Sequence, residues 1–363
     1  MPIRQGRGAK VMCDFSDDLA ERIRLAREPM QIRGAGSKDW YGNAPQGEVL
    51  DVRGHRGIVA YEPTELVITA RCGTPLAEIE AALAEKGQCL PFEPPRFSDD
   101  STIGGVVAAG LSGPRRVSAG ALRDYVLGVK LLDGSGRELS FGGQVMKNVA
   151  GYDVARLIAG SLGTLGVILE VSLKVMPRPV AESTLCFEMP QAGALETLNR
   201  WRGQPLPIVA SCWHDGVLTL RLAGARAAVA AAEQKLGGEK LGAGEAALWS
   251  DLRDQRLPFF AAETLWRLSL PPTTPPLDLP GETLIEWHGA LRWLRTTAAP
   301  EAVRAAAASL GGHATLWRAP AALKQAVGAF QPLPAPLMKL HQNLKAAFDP
   351  RGILNPGRLY AEL

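Results

Sequence analysis

Hydrophobic and polar positions along this chain follow two rhythms. Over residues 17–27, Leu19, Ile23 and Ala26 fall on one face of a helical repeat, which predicts a helix with Ser16 as its N-cap. Met30-Gln31-Ile32-Arg33 changes to an extended pattern and predicts a strand; short strands follow at 49–52, 58–62 and 66–70. A helix is predicted over 75–86, with Pro75 in its first turn and Gly87 just past its end. Two β-rich segments between 125 and 141 flank Asp133-Gly134-Ser135-Gly136, a hairpin signal, and 167–175 reads as a long strand. Pro177 and Pro179 then break the rhythm, and the composition shifts toward Ala and Trp. Beyond Glu182 the order strand, helix, strand, strand, helix predicts a sheet covered on one face, an α+β layer. The alanine-rich runs 223–236 and 298–310 read as packing helices, and 271–276, with four prolines, as an extended, exposed connector.

Composition narrows the class. A chain of 363 residues exceeds the usual size of a single core, so two domains are expected. With 46% hydrophobic and 21% charged residues it reads as globular. A net charge of +3, with no basic block interleaved with aromatics, argues against a nucleic-acid binder. The five cysteines, Cys13, Cys72, Cys89, Cys186 and Cys212, are widely spaced and contain no C-x-x-C pair. That argues against a zinc ribbon, an iron–sulfur cassette or a disulfide framework, and no metal site is expected. The basic start, Met1 to Arg7, leads into no apolar stretch, and no apolar run approaches the ~20 residues of a membrane span. A cytoplasmic protein is expected, peripheral on the inner membrane only through partner subunits.

Chemistry enters with three glycine-rich stretches: Arg33-Gly34-Ala35-Gly36-Ser37-Lys38, Thr102-Ile103-Gly104-Gly105, and Gly160-Ser161-Leu162-Gly163-Thr164-Leu165-Gly166. Successive amides without intervening Cβ atoms form anion-binding nests, and a pyrophosphate is their natural guest. The first stretch lacks both the P-loop and the full G-x-G-x-x-G pattern, so neither ATP nor NAD follows from it; alone, it also reads as a structural turn. The second runs into Val106-Val107-Ala108-Ala109-Gly110-Leu111-Ser112-Gly113, small enough to press backbone against a flat ring. The third precedes a strand, where Gly163 and Gly166 could also serve only to turn the chain.

This combination resembles the flavin-binding domain of the vanillyl-alcohol oxidase and p-cresol methylhydroxylase superfamily. Within that superfamily, Val145-Met146-Lys147-Asn148-Val149-Ala150-Gly151-Tyr152-Asp153, the 160–166 loop and Phe348-Asp349-Pro350-Arg351-Gly352-Ile353-Leu354-Asn355-Pro356-Gly357 resemble the FAD-binding E subunits of bacterial glycolate oxidase. The resemblance implies an α+β chain with a two-subdomain PCMH-type FAD-binding domain (1–178), a smaller α+β cap domain (179–333) and a C-terminal segment (334–363) returning to the FAD domain. It implies one FAD, with Arg33, Gly34, Ala35, Gly36, Ser37 and Lys38 on the pyrophosphate. Thr102, Gly104, Gly105 and Ala109 would lie along the flavin and ribityl chain, and Gly163, Gly166 and Val167 near the adenine. Lys147, Tyr152 and Asp153 would position the flavin. Relatives with covalent FAD often carry histidine after the second glycine of the first loop; Ser37 stands there, so non-covalent FAD is expected. Cys186 and Cys212 are the only other tether candidates and read better as strand core.

The implied activity is oxidation of glycolate, a 2-hydroxy acid, to glyoxylate, with electrons passing through FAD to an iron–sulfur subunit beside a larger homologous flavin subunit. Such chemistry needs a base at the hydroxyl and a cation for the carboxylate. Catalytic subunits of the superfamily often supply them from a His-x-Gly-Asp-Gly-Asn-x-His segment. This chain has five dispersed histidines and no such segment. The in-chain substitute is Glu286-Trp287-His288-Gly289-Ala290-Leu291-Arg292-Trp293, where His288 and Arg292 would share one face of a strand. Two other readings stay open: a non-catalytic FAD-holding assembly subunit of the same kind of complex, and a stand-alone flavin oxidoreductase on a substrate such as a sugar or an enolpyruvyl nucleotide.

Overall fold

The computed structural model describes residues 15–143, 153–242 and 244–363. The motif residues Lys147 and Tyr152 lie outside the described residues; Asp153 caps the short helix Val154–Ile158 by accepting the Arg156 amide. The helix Phe15–Leu25 buries Leu19, Ala20 and Ile23, the stripe its spacing prepares. Ser16 sits inside that helix and is not its cap.

The strand Met30–Arg33 pairs in parallel with Glu48–Asp51 and delivers the chain to the first glycine loop. Five antiparallel strands form one sheet, in spatial order Ile58–Glu62, Val67–Arg71, Val167–Lys174, Val126–Leu132 and Glu138–Gly142. The hairpin turn is set by Asp133, whose carboxylate accepts the amides of Ser135 (2.8 Å) and Arg137 (2.9 Å). The helices Leu76–Glu85 and Ile103–Ala109 bury Ile79, Leu83, Ile103 and Val107 in the core of this half. Thr102 caps the second of them, its hydroxyl accepting the Gly105 amide.

The second half builds an eight-stranded antiparallel sheet in the order Glu239–Lys240, Ala181–Glu188, Val217–Gly224, Ile208–His214, Glu282–Glu286, Leu291–Arg295, Leu265–Ser269 and His313–Arg318. Period-two alternation divides its side chains between two faces. One face buries Leu198, Val229 and Val303 of the helices Gln191–Arg202, Arg226–Leu236 and Pro300–Ser309. The other is aromatic: Trp287, Trp293, Trp317 and Phe260 pack with Tyr41, Ala109, Leu111 and Leu162 of the first half. Trp287 crosses that seam to donate its indole N–H to the Gly113 carbonyl at 3.0 Å. The proline-rich connector is less free than expected, because the buried Arg292 binds the carbonyls of Thr274 and Pro275.

Beyond the helix Ala335–Phe348 the chain comes back to the first half. Met30 donates to the Ile353 carbonyl and accepts the Asn355 amide, extending the parallel pair with a third short segment. The segment is anchored by Lys345, whose buried ammonium donates to Asp349 (2.8 Å) and to the carbonyls of Thr164 (2.9 Å) and Leu354 (2.6 Å). Lys345→Met strands the Asp349 carboxylate, 1% exposed, and is expected to cost about 3–5 kcal/mol in denaturant unfolding. Lys345→Met with Asp349→Asn should cost less than the two single changes added together. Among the described residues no helix is long and apolar enough to cross a membrane.

Candidate functional site

The three glycine stretches converge on one cleft. All of 33–38 lines it, as do Thr102, Gly104, Gly105, Ala109, Gly163 and Gly166. Val167 does not: it opens the central strand and is fully buried in the sheet core, whereas Gly166 before it and Ile168 after it line the cleft.

The walls are close because Cβ atoms are absent. A Cβ on Gly34 would stand 2.4 Å from the Thr102 hydroxyl, and one on Gly104 2.6 Å from Cys72 Cβ. Gly36 has φ +71°, which turns the loop back over the Arg33 guanidinium. The amides of Ala35, Gly36, Ser37 and Lys38 donate to no acceptor among the described residues, the state in which a nest receives an anion. Ser37 and Ser101 hydroxyls meet at 3.1 Å and tie the first loop to the start of the second. These residues fit a dinucleotide diphosphate.

The C-terminal segment supplies wall residues that motif reading had not assigned to the site. Asn355, held at φ +44°, accepts the Ile32 amide at 2.7 Å and donates to the Leu162 carbonyl at 2.6 Å. One amide side chain thus spaces the first loop against the third. Arg358 donates to the Lys38 carbonyl at 3.0 Å and to the Asn43 carbonyl, fixing the far end of the first loop. The sequence signal for Asn355 was its place in the Leu-Asn-Pro-Gly run; Arg358 had none.

Lys38 is the cation with consequence. Burial lowers its ammonium pKa to about 8, and Arg33 is already paired with Asp39 at 3.0 Å. A bound diphosphate favours the charged ammonium, so binding takes up a proton wherever free Lys38 is neutral. FAD affinity is therefore expected to be flat below pH 8 and to weaken by up to about tenfold per pH unit above it. In Lys38→Met, titration of FAD into deflavinated protein should show weaker binding without that slope.

Beside the cleft, against the residues that follow the helix Ile103–Ala109, the aromatic face of the second sheet carries two ionisable groups. Arg267 lies opposite both Trp293 and Thr315 in the sheet, and its guanidinium sits 5.1 Å from the Trp287 ring, 5.8 Å from Trp317 and 5.9 Å from Trp293. Glu286, 4% exposed, accepts the Trp293 indole N–H at 2.7 Å. Burial pushes its carboxyl up to about 7, opposed by that hydrogen bond and by the charge of Arg267. Arg116 stacks on Trp287 at 4.5 Å from the loop side. The half-buried Arg267 guanidinium makes no hydrogen bond or ion pair among the described residues, which leaves its planar fork free to take a carboxylate.

His288 and Arg292 do not form the expected pair. Trp287, His288 and Gly289 all have positive φ, so the chain turns there from the strand Glu282–Glu286 into Leu291–Arg295 instead of running on. His288 is buried in that turn, its amide bound to the Ser211 hydroxyl, and burial with the nearby Arg202 charge lowers its pKa to about 4. Arg292 is fully buried and spends its guanidinium on the carbonyls of Gly289, Thr274 and Pro275. Neither lines the cleft or the cavity beside it.

A two-part α+β fold whose glycine loops meet in one diphosphate cradle defines a PCMH-type FAD-binding flavoprotein. A family of FAD binding domains matches residues 9–142. The solved structure of an alkyldihydroxyacetonephosphate synthase superposes with a TM-score of 0.64, covering 94% of this chain and 74% of that one at 15% identity. The chain is 51% identical to the glycolate oxidase subunit GlcE of Escherichia coli (strain K12), over 97% of its own length and 99% of that protein. It is 34% identical to the glycolate oxidase subunit GlcD of Bacillus subtilis (strain 168), over 47% of this chain and 37% of that one. A D-lactate dehydrogenase of Archaeoglobus fulgidus is 28% identical over 48% of this chain and 40% of that one. The chain belongs to the GlcE family of glycolate oxidase subunits, and its cofactor is FAD.

Proposed function

We propose that this chain is the FAD-carrying E subunit of a multi-subunit glycolate oxidase and that it oxidises a small 2-hydroxy acid, glycolate first, to the 2-oxo acid. Full-length identity to one such subunit supports the assignment. The observation that carries catalysis by this chain is Arg267, a half-buried guanidinium without an acceptor among the described residues, beside Glu286 and next to the flavin cleft. Bound FAD supplies a two-electron acceptor. Arg267 receives the substrate carboxylate, and Glu286, poised near neutrality, takes the hydroxyl proton. The tryptophans shield Glu286 from water. FAD is held without a covalent bond, with Ser37 at the position where a tether would stand.

The same reading divides the chain into 1–178, 179–333 and 334–363. The two sheets and the return of the last segment to Met30 support those limits. Electrons leave to an iron–sulfur subunit in another polypeptide, and a larger homologous flavin subunit completes the complex.

Anaerobic addition of glycolate to the purified chain is the test. Bleaching of the flavin band, with a rate that rises with pH and is half-maximal near 7, is expected, because Glu286 acts only when deprotonated. Glu286→Gln should bleach slowly and without that pH rise. A flavin unresponsive to glycolate yet needed for activity of the assembled complex would make the chain a cofactor-holding assembly subunit.

A further inference from the structure

A second polar cavity, of about 380 Å³, lies between the first half and the edge of the eight-stranded sheet. It plays no part in the flavin site. Five arginines line it, Arg96, Arg115, Arg178, Arg221 and Arg253, against three carboxylates, Glu80, Glu93 and Glu182. The carboxylates are already committed. Arg221 binds Glu93 and Glu182 at 2.7 and 2.8 Å, and Arg96 pairs with Glu80. Arg253 binds Asp254 at 2.7 Å behind the wall.

Arg115 and Arg178 are left over. Neither makes an ion pair among the described residues; the Arg115 Nε is buried with no hydrogen-bond partner, and Arg178 gives one N–H to the Gln88 carbonyl at 3.2 Å. Both line the same cavity as the half-buried thiol of Cys89. Two unpaired guanidinium groups in one recess bind planar or tetrahedral oxyanions bidentately.

We propose that this cavity is a binding site for a small multivalent oxyanion, held by Arg115 and Arg178 beside Cys89 and separate from the flavin cleft. Its walls come from both halves of the chain: Glu93 and Arg115 from the first, Glu182, Arg221 and Arg253 from the second.

Cys89 is the reporter. Alkylation of the FAD-loaded protein by iodoacetamide, followed at the Cys89 peptide by mass spectrometry, is compared in inorganic phosphate, in malate and in sodium chloride at matched ionic strength. At a concentration about ten times the dissociation constant, the occupying anion covers the thiol and slows its modification about tenfold relative to chloride. Protection by phosphate alone assigns a phosphate ligand, and protection by malate alone a dicarboxylate; either supports the site. Arg178→Gln changes an exposed side chain, keeps the flavin, and should abolish most of the protection. Arg115→Gln should do the same. Equal rates in all three salts, or protection that survives both substitutions, would overturn the proposal.

Discussion

Gly104→Val is expected to yield a protein that purifies without its flavin. The Gly104 amide donates to the Cys72 carbonyl at 2.8 Å, which presses the helix Ile103–Ala109 onto the residue that follows the strand Val67–Arg71. A Cβ there would lie 2.6 Å from Cys72 Cβ and 2.9 Å from its carbonyl oxygen, and neither is the far end of a flexible chain. The helix must move, and Thr102, Gly105 and Ala109 move with it out of the cleft wall. Overpacking of this kind costs about 1–3 kcal/mol of stability, and FAD affinity should fall by about a hundredfold, a change of similar size. Gly193→Ala is the control, since it lies in the helix Gln191–Arg202 outside the cleft and its Cβ would meet Pro190 no closer than 3.7 Å. The ratio of flavin to protein absorbance after purification, with FAD titration of the apoprotein, separates the two variants.

Arg267→Met should keep the flavin and lose the response to glycolate. Arg267 stands outside the diphosphate cradle, so the spectrum and the FAD content remain. Paired hydrogen bonds between a guanidinium and a carboxylate in a dry site are worth about 3 kcal/mol, so anaerobic flavin reduction at subsaturating glycolate should fall about a hundredfold. Methionine fills the space among the three tryptophans, which keeps the sheet packed and confines the loss to substrate. Arg267→Lys keeps the charge but not the planar fork and should recover only part of the rate. An undiminished rate in Arg267→Met would remove the guanidinium from the substrate's path.

What was legible in the sequence is the local punctuation. The strands ending at Arg33 and beginning at Val167, the hairpin at Asp133 and the helix between Pro75 and Gly87 follow from turn residues and periodicity that tertiary contacts leave in place. The glycine loops were legible for the same reason, because a nest is a property of consecutive residues. Where a residue's role depends on which strands become neighbours, the sequence was mute. Glu286 and His288 stand two apart in one run, and chemical habit favours the imidazole. The three consecutive positive φ values that bury His288 in a turn, and the pairing that brings Arg267 beside Trp293, are set by the sheet. Arg267 did leave one trace: an arginine between Trp266 and Leu268 in a mostly apolar strand, where charge is rarely buried without a partner.

Asn355 joins residues that are made far apart in time. Its side chain reaches Ile32, 323 positions earlier, and Leu162, 193 positions earlier. During synthesis the first sheet can emerge and pair, but the spacing between its first and third glycine loops is not set until residue 355 has left the ribosome. A chain halted short of that point is therefore expected to fold in part but to stay colourless, which the absorbance spectrum of a truncated protein checks.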